Sequence, residues 1–292
     1  MAPMLPISPS ISKITLDLYR FSPLLFLLSI MMWGRPVQSQ IVPDQTLGNE
    51  SSILVPGPTR NMEGHRIDGG AARSGLLFHS FSEFNIDEAQ GAYFSNPEGI
   101  TDILSRVTGD NRSDILGTLG VLGNANLFLL NPNGIVFGPD ASLDIAGSFV
   151  ATTADRFTFP DGSRFSAIDP NAAPLLNVTV PVGLQYGTGR SGSIINAGHL
   201  DVGTGQSLTL TGETVVNTGS LTAQGGQVAI ASLAGPADIQ LDNQGHIQEI
   251  ASLSDLLGSA DADAPTIPEI LTEKPVDVGL DLTAVGLVAS AT

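Results

Sequence analysis

Three stretches of the chain share one local grammar. "IINAGHL" (194–200), "VVNTGSL" (215–221) and "QLDNQGHI" (240–247) each carry an apolar residue, an Asn, a Gly two positions on and then an aliphatic. The asparagines are Asn196, Asn217 and Asn243, spaced by 21 and 26 residues. Between them apolar residues alternate with polar ones, as in Leu200-Asp201-Val202 and Leu208-Thr209-Leu210. A repeat of this length, built from short strands and Gly/Asn corners, is the signature of a β-solenoid. Each rung makes one circuit, its inward side chains stack on the next rung, and corner asparagines ladder amide to amide. A sandwich does not explain a repeated N-x-G, and a propeller needs repeats of about 40 residues.

Composition agrees with an all-β reading. The chain has 292 residues, 42% of them apolar and only 14% charged, with 33 glycines. That is enough apolar material for a sizeable core. Twelve basic against 29 acidic residues give a net charge of −17. Such a balance excludes nucleic-acid binding through phosphate contacts and disfavours an anionic membrane surface. There is no cysteine, which removes disulfides, thiolate nucleophiles and cysteine-based zinc sites together.

The N-terminus reads as a secretory signal over residues 1–39. Lys13 and Arg20 precede the apolar run Phe21–Trp33, whose 13 residues fall short of the ~20 that a membrane span needs. Val37-Gln38-Ser39 offers a small-residue cleavage site between Ser39 and Gln40. Removing 1–39 takes away three basic residues and one acidic, so the charge moves from −17 to −19. Residues 40–250 then form the β domain. Residues 251–292, with seven acids against the single base Lys274 after Ser254, read as an acidic mobile tail or a cap on the open solenoid end.

Within the domain, "EGITDILSRV" (98–107) has helical spacing at Ile100, Ile103, Leu104 and Val107, yet is short enough to be turn and strand. "NLFLLNPNGIVFG" (126–138) is apolar without alternation. Leu127 and Leu129 point one way, Phe128 and Leu130 the other, so both faces of this stretch require cover. An accessory hairpin is the expected cover, drawn from residues 60–95, where "LLFHSFSEFNI" (76–86) is similarly apolar, and the whole reads as a covered hairpin. Its turn is chemically complete. Pro132 fixes φ, Asn131 bonds backbone with its amide, Asn133 tolerates turn geometry and Gly134 relieves the exit. Asn96-Pro97-Glu98-Gly99-Ile100 matches Asn131–Ile135 at four of five positions, 35 residues earlier, and reads as an equivalent corner of a neighbouring unit.

Residues 95–157 resemble the N-terminal secretion domain of filamentous-haemagglutinin-type exoproteins of two-partner secretion. "QIVPDQTLG" (40–48) and "FHSFSEFNI" (78–86) fit the same family, in a form associated with cyanobacteria. The resemblance covers roughly residues 40–190. It implies a right-handed parallel β-helix with accessory extra-helical β elements. It also implies export by the Sec machinery to the periplasm, then recognition by an outer-membrane β-barrel transporter (TpsB-type, Omp85-like) with periplasmic domains. The product is secreted or held at the cell surface, with an adhesive or haemagglutinating role. The family's two Asn-Pro secretion motifs map to Asn131, Pro132, Asn133 and Gly134, and to Asn96 and Pro97, where Glu98 departs from the usual Asn. The chain departs in length too, since only a few rungs follow where the family carries a long passenger.

The residues themselves argue for no enzyme, cofactor or metal. The four histidines, His65, His79, His199 and His246, show no metal-ligand spacing, although His199 and His246 fall at matching points of their repeats. β-Helices do host polysaccharide lyases and hydrolases, which makes a small secreted enzyme of that type the alternative. Its only candidates, Asp155, Arg156, Asp161 and Arg164, read better as a salt-bridged hairpin turning at Pro160-Asp161-Gly162.

Overall fold

A strand with apolar residues on both faces must lie between two covering layers, and the architecture is organised around a sheet of such strands. The computed structural model describes residues 41–170, 182–189, 192–233, 235–252 and 287–290. The expected signal segment 1–39, the Ser39/Gln40 junction and most of the expected tail 251–292 lie outside the described residues. Among the described residues there is no α-helix; one 3-10 turn spans Gly48–Glu50. The chain winds as a parallel β-solenoid of about six rungs.

Each full rung adds a strand to three sheets. The first face stacks Leu76–Phe84, Asp102–Val107, Asn126–Leu130, Phe149–Thr152, Leu208–Gly212 and Gln227–Ser232, which define rungs one to six. The second stacks Ser113–Ile115, Ile135–Phe137, Ser193–Asn196 and Thr214–Asn217. The third stacks Gly64–Gly69, Gly91–Ser95, Thr118–Leu122, Ser142–Asp144, His199–Asp201 and Ser220–Thr222. At the N-terminal end, Ile41–Pro43 and Ser52–Pro56 pair antiparallel to the first and third faces. At the other end, Leu287–Ser290 pairs antiparallel to Gln227–Ser232.

Register on the first face shows the two-sided burial directly. Leu77, Ile103, Leu127, Phe149, Leu208 and Val228 form one in-register row. This row faces the solenoid interior with Phe81, Phe84 and Phe94. The next row, Phe78, Leu104, Phe128 and Val150, faces outward into a second apolar cluster. That cluster is closed by a five-stranded antiparallel sheet laid over the first face. Its strands, Arg156–Thr158, Arg164–Ser166 and Gly183–Tyr186, come from an excursion between rung four's first and second faces. Ala237–Leu241 and Ile247–Ser252 come from a second excursion after rung six. Burial of each large apolar side chain on the first face contributes about 1.5–3 kcal/mol from each side of the same backbone.

The cover is an accessory antiparallel element as expected, but it does not come from residues 60–95 or their apolar stretch 76–86. That segment is a neighbouring strand of the covered sheet, and the cover arrives from chain far downstream. The apolar stretch 126–138 is not a hairpin either. Asn126–Leu130 and Ile135–Phe137 belong to different faces, so Asn-Pro-Asn-Gly turns a solenoid corner. The helical spacing in 98–107 does not form a helix. Asp102–Val107 is a fully buried strand between rungs one and three. Burial of both its faces leaves no polar side to expose the period of two.

The repeat reading holds for two of its three members. Asn196 and Asn217 stand opposite in register, with Asn196 Nδ2 donating to Asn217 Oδ1 at 2.8 Å. Asn243 is no rung corner, because it sits in the loop joining two antiparallel strands of the accessory sheet.

His79 points into the solenoid interior in the row of Ser105 and Leu129, with no exposed surface. Its Nδ1 pairs with Ser52 Oγ at 3.0 Å, and its ring packs edge-on against Phe94 at 5.1 Å. Burial pushes its pKa down to about 3, opposed weakly by Asp68. The folded chain therefore holds His79 neutral, whereas the unfolded chain binds a proton near pH 6.5. Stability from this group is complete above pH 6.5 and falls as pH drops toward 3. Between pH 6.5 and 5, wild type should lose stability faster than His79→Asn, by up to ~1.4 kcal/mol per pH unit, in urea unfolding. Equal slopes would contradict this account. Phe128→Ala should cost about 3–5 kcal/mol in chemical denaturation, because the ring is 1% exposed and meets Phe157 edge-on at 6.2 Å.

Candidate functional site

Pro132, with its φ set by the ring, opens the corner that Asn131 organises. Gly134 N donates to Asn131 O at 3.1 Å, closing a four-residue turn. Asn133 N donates to Asn131 Oδ1 at 2.9 Å, the side-chain mimic of a backbone turn that Asn favours. Asn131 has no exposed surface, and Pro132 and Gly134 are buried with it; Asn133 is half-buried.

The side-chain amides of this corner reach rung two, and its backbone bonds to rung four. Asn131 Nδ2 donates to Asn111 O at 3.1 Å and Ser113 Oγ at 3.0 Å. Asn133 Nδ2 donates to Gly109 O at 2.7 Å. These acceptors belong to the corresponding corner of rung two. On the other side, Gly192 N donates to Pro132 O at 2.7 Å where the chain returns from the first excursion. A Cβ at Gly192 would lie 2.2 Å from Gly134 N, so only glycine fits there. Removing the Asn131 amide would strand the buried Ser113 Oγ, at about 1–3 kcal/mol, and would also lose the bond to Asn111 O.

The Asn96–Gly99 turn shares the motif but not the bonding, closing with Ile100 N donating to Pro97 O at 3.2 Å, and it lies at a different corner. It joins the third face to the first, whereas Asn131–Gly134 joins the first to the second. The two are thus not equivalent corners, and their 35-residue offset is one rung plus one side. Asn96 Oδ1 accepts from Asn124 N at 3.0 Å and Ala125 N at 3.1 Å in the next rung. Its Nδ2 donates to Ile100 O at 2.9 Å. Pro97, Glu98 and Gly99 are exposed. Beside the Asn131 corner a groove of about 480 Å³ is lined by Thr108, Pro132, Asn133, Asp155, Arg156 and Thr188, among others.

The acidic and basic residues of "ADRFTFPDGSRF" do form a hairpin turning at Pro160-Asp161-Gly162, with Phe157 opposite Phe165. Among the described ion pairs, none lies in it. Asp161 sits at the exposed tip, its carboxyl held low by bonds from Ser163. Asp155 sits at the buried base, its carboxyl raised by burial while it accepts from Gly187 N at 3.0 Å. The carboxylates stand at opposite ends of one strand and share no acid–base geometry. His199 pairs with Ser220 at 2.8 Å on the third face, while His246 lies in the accessory-sheet loop, so the two do not stack.

Two clusters carried no sequence signal that separates them from ordinary polar residues. Arg106 is 3% exposed on the outer side of the first face. It donates to Ser80 Oγ at 2.9 Å, Ser166 O at 2.7 Å and Thr46 Oγ1 at 2.8 Å, and lies 4.0 Å over the Phe165 ring. Burial lowers its pKa to about 10, opposed by Asp44. Burial alone would raise the Asp44 carboxyl, but bonds from Thr108, Thr46 and Ser80 outweigh it and hold it low. This network ties the N-terminal segment, two rungs and the accessory sheet together. The second cluster joins Ser207, His246 and Asp242: His246 Nε2 meets Ser207 Oγ, and His246 Nδ1 meets Asp242 Oδ2 at 2.7 Å.

Residues 39–261 match the family described as the TPS secretion domain. The chain is 21% identical to the HMW1 secretion domain from Haemophilus influenzae, covering 73% of this chain and 49% of that one, with a TM-score of 0.51. It is 17% identical to the filamentous hemagglutinin secretion domain over 73% of this chain and 68% of that one, with a TM-score of 0.45. A heme/hemopexin-binding protein of Haemophilus influenzae is 31% identical over 110 residues, which are 38% of this chain and 10% of that protein. The chain thus spans about a tenth of that relative and half of the first structure. With a family match across most of its length and a β-solenoid covered by accessory strands, the chain belongs to the TPS secretion-domain family.

Proposed function

We propose that this chain is the transporter-recognised domain of a secreted, non-enzymatic exoprotein of the two-partner pathway. In this reading the Sec machinery exports it behind residues 1–39. A TpsB-type outer-membrane β-barrel with periplasmic domains then captures it and passes it to the cell surface, where it serves adhesion. Family membership over residues 39–261 carries the proposal. The anionic composition agrees with a binding role over a lyase or hydrolase acting on an acidic polysaccharide.

Burial of the Asn131 corner constrains how recognition works. The Asn131 side chain has no exposed surface and all its bonds are internal. A transporter cannot contact it in the finished solenoid. In this reading the Asn131 side chain is recognised on extended chain, before rungs two to four close around it, while the half-buried Asn133 stays at the groove. Asn96 and Pro97 stay at the surface and remain readable afterwards. Emerging rungs bury several aliphatic side chains each, at about 1.5–3 kcal/mol apiece before entropy costs, which biases transport outward.

Asn131→Ala and Ser113→Ala both break the 3.0 Å bond between them, and Asn131→Ala also removes the bonds to Asn111 O and from Asn133 N, so secretion of each is compared with its own unfolding free energy. Co-expressed with its transporter, the Asn131→Ala chain should accumulate in the periplasm. The Ser113→Ala chain should be secreted at close to the wild-type level. Secretion losses that simply follow the two unfolding free energies would mean that the corner acts only through the stability of the fold.

A further inference from the structure

One short loop, Asp242–His246, touches three successive rungs. It sits at the tip of the Ala237–Leu241/Ile247–Ser252 strand pair, the last described part of the accessory sheet. Asp242 shapes it from within. Asp242 Oδ1 accepts from Gln244 N at 2.8 Å and His246 N at 3.0 Å, and Asp242 O accepts from Gly245 N at 3.1 Å. The loop then bonds outward. Asn126 Nδ2 of rung three donates to Asn243 O at 3.2 Å. Thr209 Oγ1 of rung five donates to Gly245 O at 2.9 Å, and Ser207 Oγ meets His246 Nε2. Between these bonds Gly245, at φ +77°, lies against rung four. A Cβ there would come 2.6 Å from Val150 Cγ2, so the loop is seated on the sheet with glycine alone fitting.

The bonds extend a polar ladder along the same edge of the first face. Asn126 Nδ2 also donates to Asp102 Oδ1 at 2.8 Å in rung two. Asn126 Oδ1 accepts from Ser148 N at 2.8 Å, and Ser148 Oγ accepts from Ser207 N at 3.0 Å. Rungs two to five are thus stitched in sequence, and His246 closes the end. Ser207, His246 and Asp242 stand in the order of nucleophile, base and orienting acid. Ser207 is, however, 1% exposed. The cleft at the loop, lined by Gln240, Asp242 and Gln248 among others, includes neither Ser207 nor His246. The three residues hold a loop in place and do not present a nucleophile.

We propose that Asp242–His246 is a clasp that closes after rungs three to five have stacked and locks them against unwinding. Its partners at rungs three and five lie 117 and 36–39 residues earlier in the chain. They are in position only after those rungs have stacked. In a chain that emerges from its N-terminus, the clasp closes once residue 246 is out, and from then on the domain does not slide back. The transport consequence rests on the secretion reading above; the folding order does not.

The test is stopped-flow folding of the purified mature chain, without any transporter. Two variants remove single clasp bonds: Ser207→Ala, and Thr209→Val, which keeps the side-chain volume. Both should unfold about tenfold faster than wild type and refold at a rate within about twofold of it, as for interactions absent from the transition state. Slower refolding with unchanged unfolding would place the clasp early and overturn the proposal. Unchanged rates in both directions would show that the loop locks nothing. Neither result bears on whether Asn131→Ala is secreted, so the two readings fail separately.

Discussion

The strands of the first face carry large side chains on both sides, and the rest of the structure answers that constraint. Leu127 and Leu129 need an interior, and winding the chain into stacked rungs supplies one. Phe128 and Leu130 need an exterior cover, and no single rung can provide it. Two excursions, after rung four's first strand and after rung six, meet over the face as one antiparallel sheet. The domain is consequently not a simple repeat protein. Its rungs contact only neighbours, but its cover ties rung four to rung six and to the N-terminal segment through Arg106. That long-range closure makes a solenoid of so few turns cooperative.

Corner chemistry carries the second constraint. A solenoid corner turns the backbone away from its sheet, leaving N–H and C=O groups without a ladder partner. Here asparagine amides fill the gap: Asn96 for the rung beyond it, Asn131 and Asn133 for the rung before, and Asn196 onto Asn217. A residue selected for this purpose is buried by success. The proposal that the transporter reads the Asn131 corner before it closes follows from the same burial. In that proposal folding and recognition compete for the Asn131 side chain, in a fixed order.

Local sequence can state a requirement without naming what meets it. Non-alternation in Asn126–Leu130 made two-sided burial legible, because side-chain direction in a strand has a period of two. It could not show that residues 156–166, 183–186 and 237–252 would meet that need, since those segments look like ordinary short strands. The same two-sided burial made Asp102–Val107 imitate helical spacing. Asn243 imitated a rung corner because the turn chemistry of Asn and Gly is shared by solenoid corners and antiparallel loops alike. Arg106 was illegible: one basic residue in an apolar strand reads as a surface charge until Asp44, Thr46 and Ser166 are seen around it.

By itself the sequence determined what is set by local geometry. That comprises an all-β solenoid with short rungs, the turns at Asn96–Gly99 and Asn131–Gly134, and the hairpin at Asp161. Each follows from backbone preferences and side-chain alternation within a few residues. Tertiary structure alone decided which face each corner joins, what covers the first face, why Asn131 is hidden while Pro97 is exposed, and where the Asp242–His246 loop seats. Those outcomes depend on contacts between residues tens to more than a hundred positions apart, whose partners no local pattern encodes.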